Sequence, residues 1–189
     1  MTETTEFPRL ETERLILREL TESDIYGMFP HYSDAEVWKY VDSYPAKDPK
    51  EILEVINWGK YLLNSKTGVL WGLFSREDGL FVGEMNYVGR RDGTIEGKIH
   101  RAEIGYNIVR THWGKGLAAE ALREIIRHIF DTTEVYRLEA IIRPANTRSR
   151  NLASRVGFRE EGILRDYIFW DGRYWDNVIY SLLKREWQG

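Results

Sequence analysis

Gly114, Lys115 and Gly116 stand just ahead of the small residues Ala118 and Ala119. From Ala118 onward, apolar residues recur at Leu122, Ile125, Ile126, Ile129 and Phe130, with Glu120, Arg123, Glu124 and Arg127 between them. That spacing predicts an amphipathic helix, with the glycines at its entry. A helix entry offers unpaired N–H groups and the positive end of the peptide dipole, which together favour an anion, most often a phosphate. Glycine lets such a group approach the backbone without meeting a Cβ. The chain contains no GxxxxGK[ST] stretch, so a P-loop is unsupported. Gly114, Gly116 and Ala119 do satisfy GxGxx[GA], but Arg110 to Trp113 separate them from the preceding strand. That strand alternates Glu103, Gly105 and Asn107 with Ile104, Tyr106 and Ile108, which gives one polar face and not the doubly buried strand of a dinucleotide fold.

The same polar face carries a candidate general base. Glu103 opens the strand, and a carboxylate partly desolvated between sheet and helices has a raised pKa. The competing reading is a structural carboxylate paired with Arg101 or an arginine of another strand. Backbone N–H groups near Ile108 and Val109 are candidates for polarising a carbonyl. Asn146 and Ser149 stand where Asn and Ser commonly cap a helix. His31, His100, His112 and His128 show no ligand spacing, so no metal site is expected. With no cysteine in the chain, neither a disulfide framework nor an acyl-cysteine intermediate is available.

The elements that must position these residues fit one domain over 1–189, undivided by any Pro-, Gly- or Ser-rich linker, internal repeat or low-complexity segment. Residues 14–20 alternate as a strand. Thr21 with Asp24, Ser33 with Glu36, and Asp48 with Pro49 and Glu51 mark three helix starts, the first helix ending near Pro30. Ile52, Val55, Ile56, Leu62 and Leu63 form the buried stripe of the third. Residues 69–75 and 80–89 form a hairpin, 90–98 a polar loop, and 102–109 the central strand. A short strand over 137–142, a helix over 147–156 and two strands over 158–170 and 174–183, turning at Asp171-Gly172, complete a mixed α/β sheet flanked by helices.

Thirty acidic residues against twenty-seven basic ones, with the signs interspersed, argue against a nucleic-acid-coating surface. The N-terminal MTETTEFPR has no basic-then-apolar pattern and no apolar run reaches spanning length, so a cytoplasmic enzyme with no membrane partner is expected. Seven Trp and eleven Tyr exceed the usual needs of such a core. Trp38, Tyr40, Tyr44, Trp58, Trp71, Tyr87, Tyr167, Phe169 and Trp170 are candidates to line a cleft.

The runs AEIGYNIVRTHWGKGLAAEAL and RPANTRSRNLASRVGFREEG resemble the GNAT superfamily of N-acetyltransferases, in particular its Rim-type ribosomal-protein subgroup. The likeness extends from Leu10 to about Leu183. It implies a mostly antiparallel sheet of six to seven strands, helices on both faces, and a splay between the fourth and fifth strands. It implies acetyl-CoA as co-substrate and no metal. Trp113, Gly114, Lys115, Gly116, Leu117 and Ala118 match the family's pyrophosphate motif, with Trp113 in place of Gln or Arg, a change familiar in the Rim-type subgroup. Ile108, Val109, Arg110, Asn146 and Asn151 are further cofactor contacts by the same likeness, and Arg148 and Arg150 candidates for the 3′-phosphate. Many relatives carry a tyrosine acid seven residues after the asparagine, but here that position is Ala153. The Rim-type NxxS pattern offers Ser149 instead. Glu103 and Ser149 are therefore the catalytic candidates. The acceptor is expected to be a protein N-terminal amine, with a small-molecule amine as the near rival and a monomer or homodimer as the assembly. A non-catalytic acyl-CoA-binding module and a nicotinamide-dependent oxidoreductase are the readings from other classes.

Overall fold

Of the 189 residues, a computed structural model describes 6–189. The first five residues of the N-terminal segment read above lie outside the described residues. The chain packs as two compact units. One runs through Val88 and takes in Gly105–Ile125, and the other comprises Gly89–Ile104 and Ile126–Gly189.

In the first unit the strands follow the order β1 (Leu10–Glu11), β2 (Leu15–Arg18), β3 (Gly68–Ser75) and β4 (Phe81–Gly89), then the second half of β7 (Arg101–Ile108). The ladders β1–β2, β2–β3 and β3–β4 are antiparallel. β3 is buried along all but its last residue, as its Val, Leu, Trp and Phe content demands. α1 (Ile25–Tyr32), α2 (Ala35–Trp38) and α3 (Ile52–Asn64) precede β3. Leu20, Met28, Tyr32, Ile52, Ile56, Leu70, Phe74 and Phe81 form their common core.

The helix starts follow capping chemistry. Asp24 accepts from the Thr21 amide at 2.8 Å and also receives both Arg18 guanidinium nitrogens, at 2.7 and 2.9 Å. Asp48 and Glu51 close a capping box around a single tight turn that leads into α3. Two local expectations change. α1 runs through Pro30 to Tyr32, and the cap of α2 is Asp34, not Ser33, its carboxylate accepting from the Glu36 amide at 3.0 Å.

In the second unit the order is the first half of β7, β8 (Arg137–Ile142), β10 (Arg173–Leu183) and β9 (Arg159–Trp170). β8–β10 and β10–β9 are antiparallel, while β7 and β8 form a parallel ladder of three rungs that ends at Glu103–Glu139. The hairpin between β9 and β10 turns where Asp171 and Gly172 both take positive φ, 49° and 78°. α5 (Thr147–Val156) is capped by Asn146 and ends at Gly157, whose φ of 108° suits the left-handed stop. The stretch expected as a polar loop holds a small hairpin, β5 (Thr94–Ile95) with β6 (Lys98–Ile99), turning through Glu96 and Gly97 at φ 50° and 78°. β1 is likewise a strand beyond the six to seven expected. α4 (Leu117–Thr132) continues from the first unit into the second.

The Asp48 cap is exposed and its side chain bonds the first turn of the helix it opens, so it isolates the value of capping. Asp48→Ala should lower stability by about 1 kcal/mol, seen in urea as an earlier midpoint with an unchanged slope.

Candidate active site

The glycine turn and the start of α4 lie wholly in the first unit. Gly114 and Gly116 take φ of 76° and 80°, a region where side chains with a Cβ are strained. Nothing lies within 4 Å of a Cβ built on Gly114, and only an Arg14 nitrogen, at 3.5 Å, approaches one on Gly116. Gly114, Lys115 and Gly116 are exposed. The first backbone bond of α4 runs from the Glu120 amide to Gly116 O at 3.1 Å, so the amides of Leu117, Ala118 and Ala119 form the helix's open end. Trp113 is half-buried and donates its indole N–H to Ile108 O at 2.8 Å, tying the turn to the end of β7. These features, an open backbone with two left-handed glycines and donor groups, fit a diphosphate.

The end of β7 supplies one correction. The Val109 amide donates to Val82 O at 2.9 Å and so is committed within the protein, not free to polarise a carbonyl. Successive strand amides point to opposite edges, so the Ile108 amide faces away from the β4 edge that Val109 bonds. Arg110 is mostly exposed and pairs with Asp34 at 2.9 Å. An anion there would compete with that carboxylate.

One cluster in this unit escaped the sequence reading. Glu84 of β4 is 7 % exposed and is hydrogen-bonded by the Tyr32 hydroxyl and by the Asn107 side chain. Burial drives its carboxyl up to about 7, against the two hydrogen bonds, which favour the ionised form. Burial likewise raises Tyr32 well above its ordinary value, with the negative charge of Glu84 adding to it. A glutamate inside the otherwise apolar run FVGEM was the available signal. Next to Tyr32, the buried His31 has neither ring nitrogen hydrogen-bonded and lies among the rings of Tyr32, Trp38 and Phe81. Burial lowers its pKa to about 4, with Asp34 opposing. His31 is thus packed into the core.

The other candidates belong to the second unit. Glu103 is half-buried and accepts from Arg90 at 3.0 Å. Desolvation raises its pKa, as its place on the strand predicts, while Arg90 pulls the other way. The arginine partner anticipated for it is thus Arg90, not Arg101. Arg101 pairs with Asp92 and lies 3.6 Å from Glu139, which Arg137 bonds at 2.7 Å. Asn146 accepts from the Ser149 amide at 3.1 Å, so capping is realised. Asn151 is exposed one turn on, and Ala153, where a tyrosine was sought, is buried. Arg150 is engaged by Glu160 at 3.1 Å and by the Tyr180 hydroxyl at 3.0 Å.

The aromatics grouped as a cleft lining divide. Trp71 is a core residue whose indole donates to Pro8 O at 2.7 Å, whereas Tyr44, Tyr167 and Phe169 are exposed. Among the described residues, no helix is long and apolar enough to cross a membrane, and no cluster of three or more His, Asp or Glu is grouped to hold a metal ion.

Comparison with known proteins gives a consistent result. Residues 14–159 match the family described as "Acetyltransferase (GNAT) domain". The chain is 32 % identical over 178 residues to the Bacillus subtilis (strain 168) protein named "Uncharacterized N-acetyltransferase YoaA", covering 94 % of this chain and 98 % of that one. It is 28 % identical over 187 residues to the "[Ribosomal protein uS5]-alanine N-acetyltransferase" of Escherichia coli (strain K12), covering 95 % and 92 %. Among solved structures, the microcin C7 self-immunity acetyltransferase MccE, in complex with acetyl-CoA and AMP, superposes with a TM-score of 0.79 at 18 % identity, covering 90 % of this chain and 93 % of that one.

His31 and Glu84 give stability opposite pH dependences. Unfolded, His31 protonates near 6.5, but folded only near 4, so acidification through that window favours the unfolded chain and stability rises with pH. Glu84 folded keeps its proton up to about 7, whereas the unfolded carboxyl loses it near 4.5, so stability falls as pH rises through that window. Where the windows overlap the slopes offset. In Glu84→Gln, denaturant melts across this range should uncover the histidine slope, about 1.4 kcal/mol per pH unit at its steepest. A flat profile in that variant would contradict the assignment.

Proposed function

Since the chain belongs to the GNAT acetyltransferase family, we propose that its acetyl donor is acetyl-CoA and its acceptor the N-terminal α-amine of a protein of the ribosomal kind. Acetyl transfer is the family's reaction, and the chain is an N-acetyltransferase. The observation that carries the choice of donor is the turn Trp113 to Ala118. Its glycines have left-handed φ, its outer face is open, and it leads into a sixteen-residue helix. In this reading the amides from Gly114 to Ala118 hold the diphosphate, Lys115 adds charge, and the Ile108 amide polarises the thioester carbonyl. When bound, the coenzyme supplies an activated acetyl group, and the protein aligns it and manages protons.

The roles proposed for Glu103, Ser149, Asn146 and Asn151 rest on the family resemblance and on each residue's own surroundings. Ser149 would return a proton to the leaving thiolate, Asn146 would contact the pantetheine arm, and Asn151 would be a further cofactor contact. Glu103 is one of two carboxylates suited to take the amine's proton. Support for a protein amine comes from the uS5-alanine acetyltransferase, which aligns over nearly the full length of both chains.

Mass spectrometry after incubation with acetyl-CoA should find acetyl on the α-amines of peptides beginning with Ala or Ser. Faster turnover of a polyamine or a free amino acid would move the acceptor to the small-molecule class. Gly114→Val and Gly116→Val force a β-branched residue into left-handed backbone, so calorimetry should find acetyl-CoA binding weakened about tenfold or more. Unchanged affinity in both would remove the turn from the donor site.

A further inference from the structure

Two carboxylates are buried among the described residues, Glu84 and Glu139. Glu139 has the guanidinium groups of Arg137 and Arg101 beside it, at 2.7 and 3.6 Å. Glu84 has only neutral groups recorded against it, the Tyr32 hydroxyl from α1 and the Asn107 side chain from β7. A carboxylate placed without a cation in the body of a strand costs folding free energy that Met or Leu at the same position would not. β4 has such residues on either side, with Val82 and Met85 both fully buried.

The backbone also fixes where this carboxylate stands. A Cβ on Gly83 would lie 2.3 Å from Asn107 O and 2.9 Å from the Ile108 Cα, so β4 and β7 approach more closely than a side chain there would allow. The Val109 amide bonds Val82 O at the same place. Glu84 is therefore held one residue from this contact, and Asn107, which touches its carboxylate, directly precedes the Ile108 amide.

We propose that Glu84, oriented by Tyr32 and Asn107, is the carboxylate that receives the acceptor amine and takes its proton. The inference rests on the acetyl-transfer reading above and assigns its base. The acceptor arrives as an ammonium, the one cation the buried carboxylate lacks. Glu84 takes one proton from it, directly or through one bridging water. The freed nitrogen lone pair adds to the thioester carbonyl carbon. The C–S bond then breaks with its electron pair on sulfur, and the surplus proton of the new amide nitrogen ends on that sulfur. Glu84 afterwards gives its own proton to solvent, which leaves acetylated amine, free thiol and one released proton. Its displacement toward neutral pH supports this role, because a base must be ionised yet basic enough at working pH. Tyr32 acts through Glu84 and is a positioning residue.

The test compares the wild type with Glu84→Gln, Tyr32→Phe and Glu103→Gln on an Ala-initiated peptide. It follows kcat/KM against pH, acetyl-CoA affinity by calorimetry, and the infrared band of the protonated carboxyl in the ligand-free protein. Glu84→Gln should lose about 10²–10⁴ in rate, lose the acidic inflection of the profile, lose the infrared band that titrates near neutrality, and still bind acetyl-CoA. Tyr32→Phe removes a bond that favours the ionised carboxylate, so its inflection should move to higher pH with the plateau retained. This second arm decides the matter if Glu84→Gln does not fold. Retention of rate and inflection in Glu84→Gln, an unmoved inflection in Tyr32→Phe, or loss of the inflection in Glu103→Gln alone would overturn the assignment while leaving the acetyltransferase reading intact. A wild type that transfers acetyl to no amine would overturn both.

Discussion

The grip of Arg14 and Thr12 on Glu120 is the contact on which the rest of the site depends. One Glu120 oxygen accepts from the Thr12 hydroxyl at 2.5 Å and the Arg14 amide at 2.9 Å, and the other from the Arg14 guanidinium at 2.6 Å. Arg14 then donates to Lys115 O at 3.0 Å. Burial works against the Glu120 charge, but these donors outweigh it and hold its carboxyl below the usual range. Between them, the segment before β2 is locked to the first turn of α4 and to the carbonyl between the two glycines. Left-handed glycines impose no order by themselves, since their freedom has to be removed by something else. Here a charged side chain removes it without occupying the open face of the turn.

The carboxylates differ in their solvation more than in their position along the chain. Glu139 is buried against two guanidinium groups and belongs to an ion ladder that runs on through Arg137 to Glu161. Glu103 is half-buried with one such partner. Glu84 is buried with none recorded, and its two hydrogen bonds do not offset the loss of water. A chain that tolerates this arrangement also carries His31 neutral and unbonded beside Tyr32 among aromatic rings. The region around α1 and β4 thus stores unfavourable polar burial, which is characteristic of sites shaped for chemistry more than for stability.

In the second unit, by contrast, nearly every charged group near β7, β8 and β9 finds its opposite. Arg90 meets Glu103, Arg101 meets Asp92, Arg137 meets Glu161, and Arg150 meets Glu160. Such pairs contribute little individually when exposed. They tie together separate elements, Arg137 reaching from β8 to Glu161 of β9 and Arg150 from α5 to Glu160 of β9. The capping of α5 by Asn146 follows the same pattern, a local bond that sets direction.

Signals carried by adjacent residues were legible in the sequence: helix starts from Asp48-Pro49, the hairpin at Asp171-Gly172, the glycine turn ahead of α4, and through its motifs the family. These features depend on backbone preferences and short-range periodicity, which a linear reading contains. Tertiary structure decided what depends on distant partners. Arg14 and Glu120 are 106 residues apart, and Tyr32 and Glu84 are 52 apart. It decided that Val109 gives its amide to Val82, that Trp71 belongs to the core, and that Glu103 pairs with Arg90. It also distinguished one glutamate of FVGEM from thirty acidic residues, because desolvation is a property of the space around a side chain and not of its neighbours in sequence.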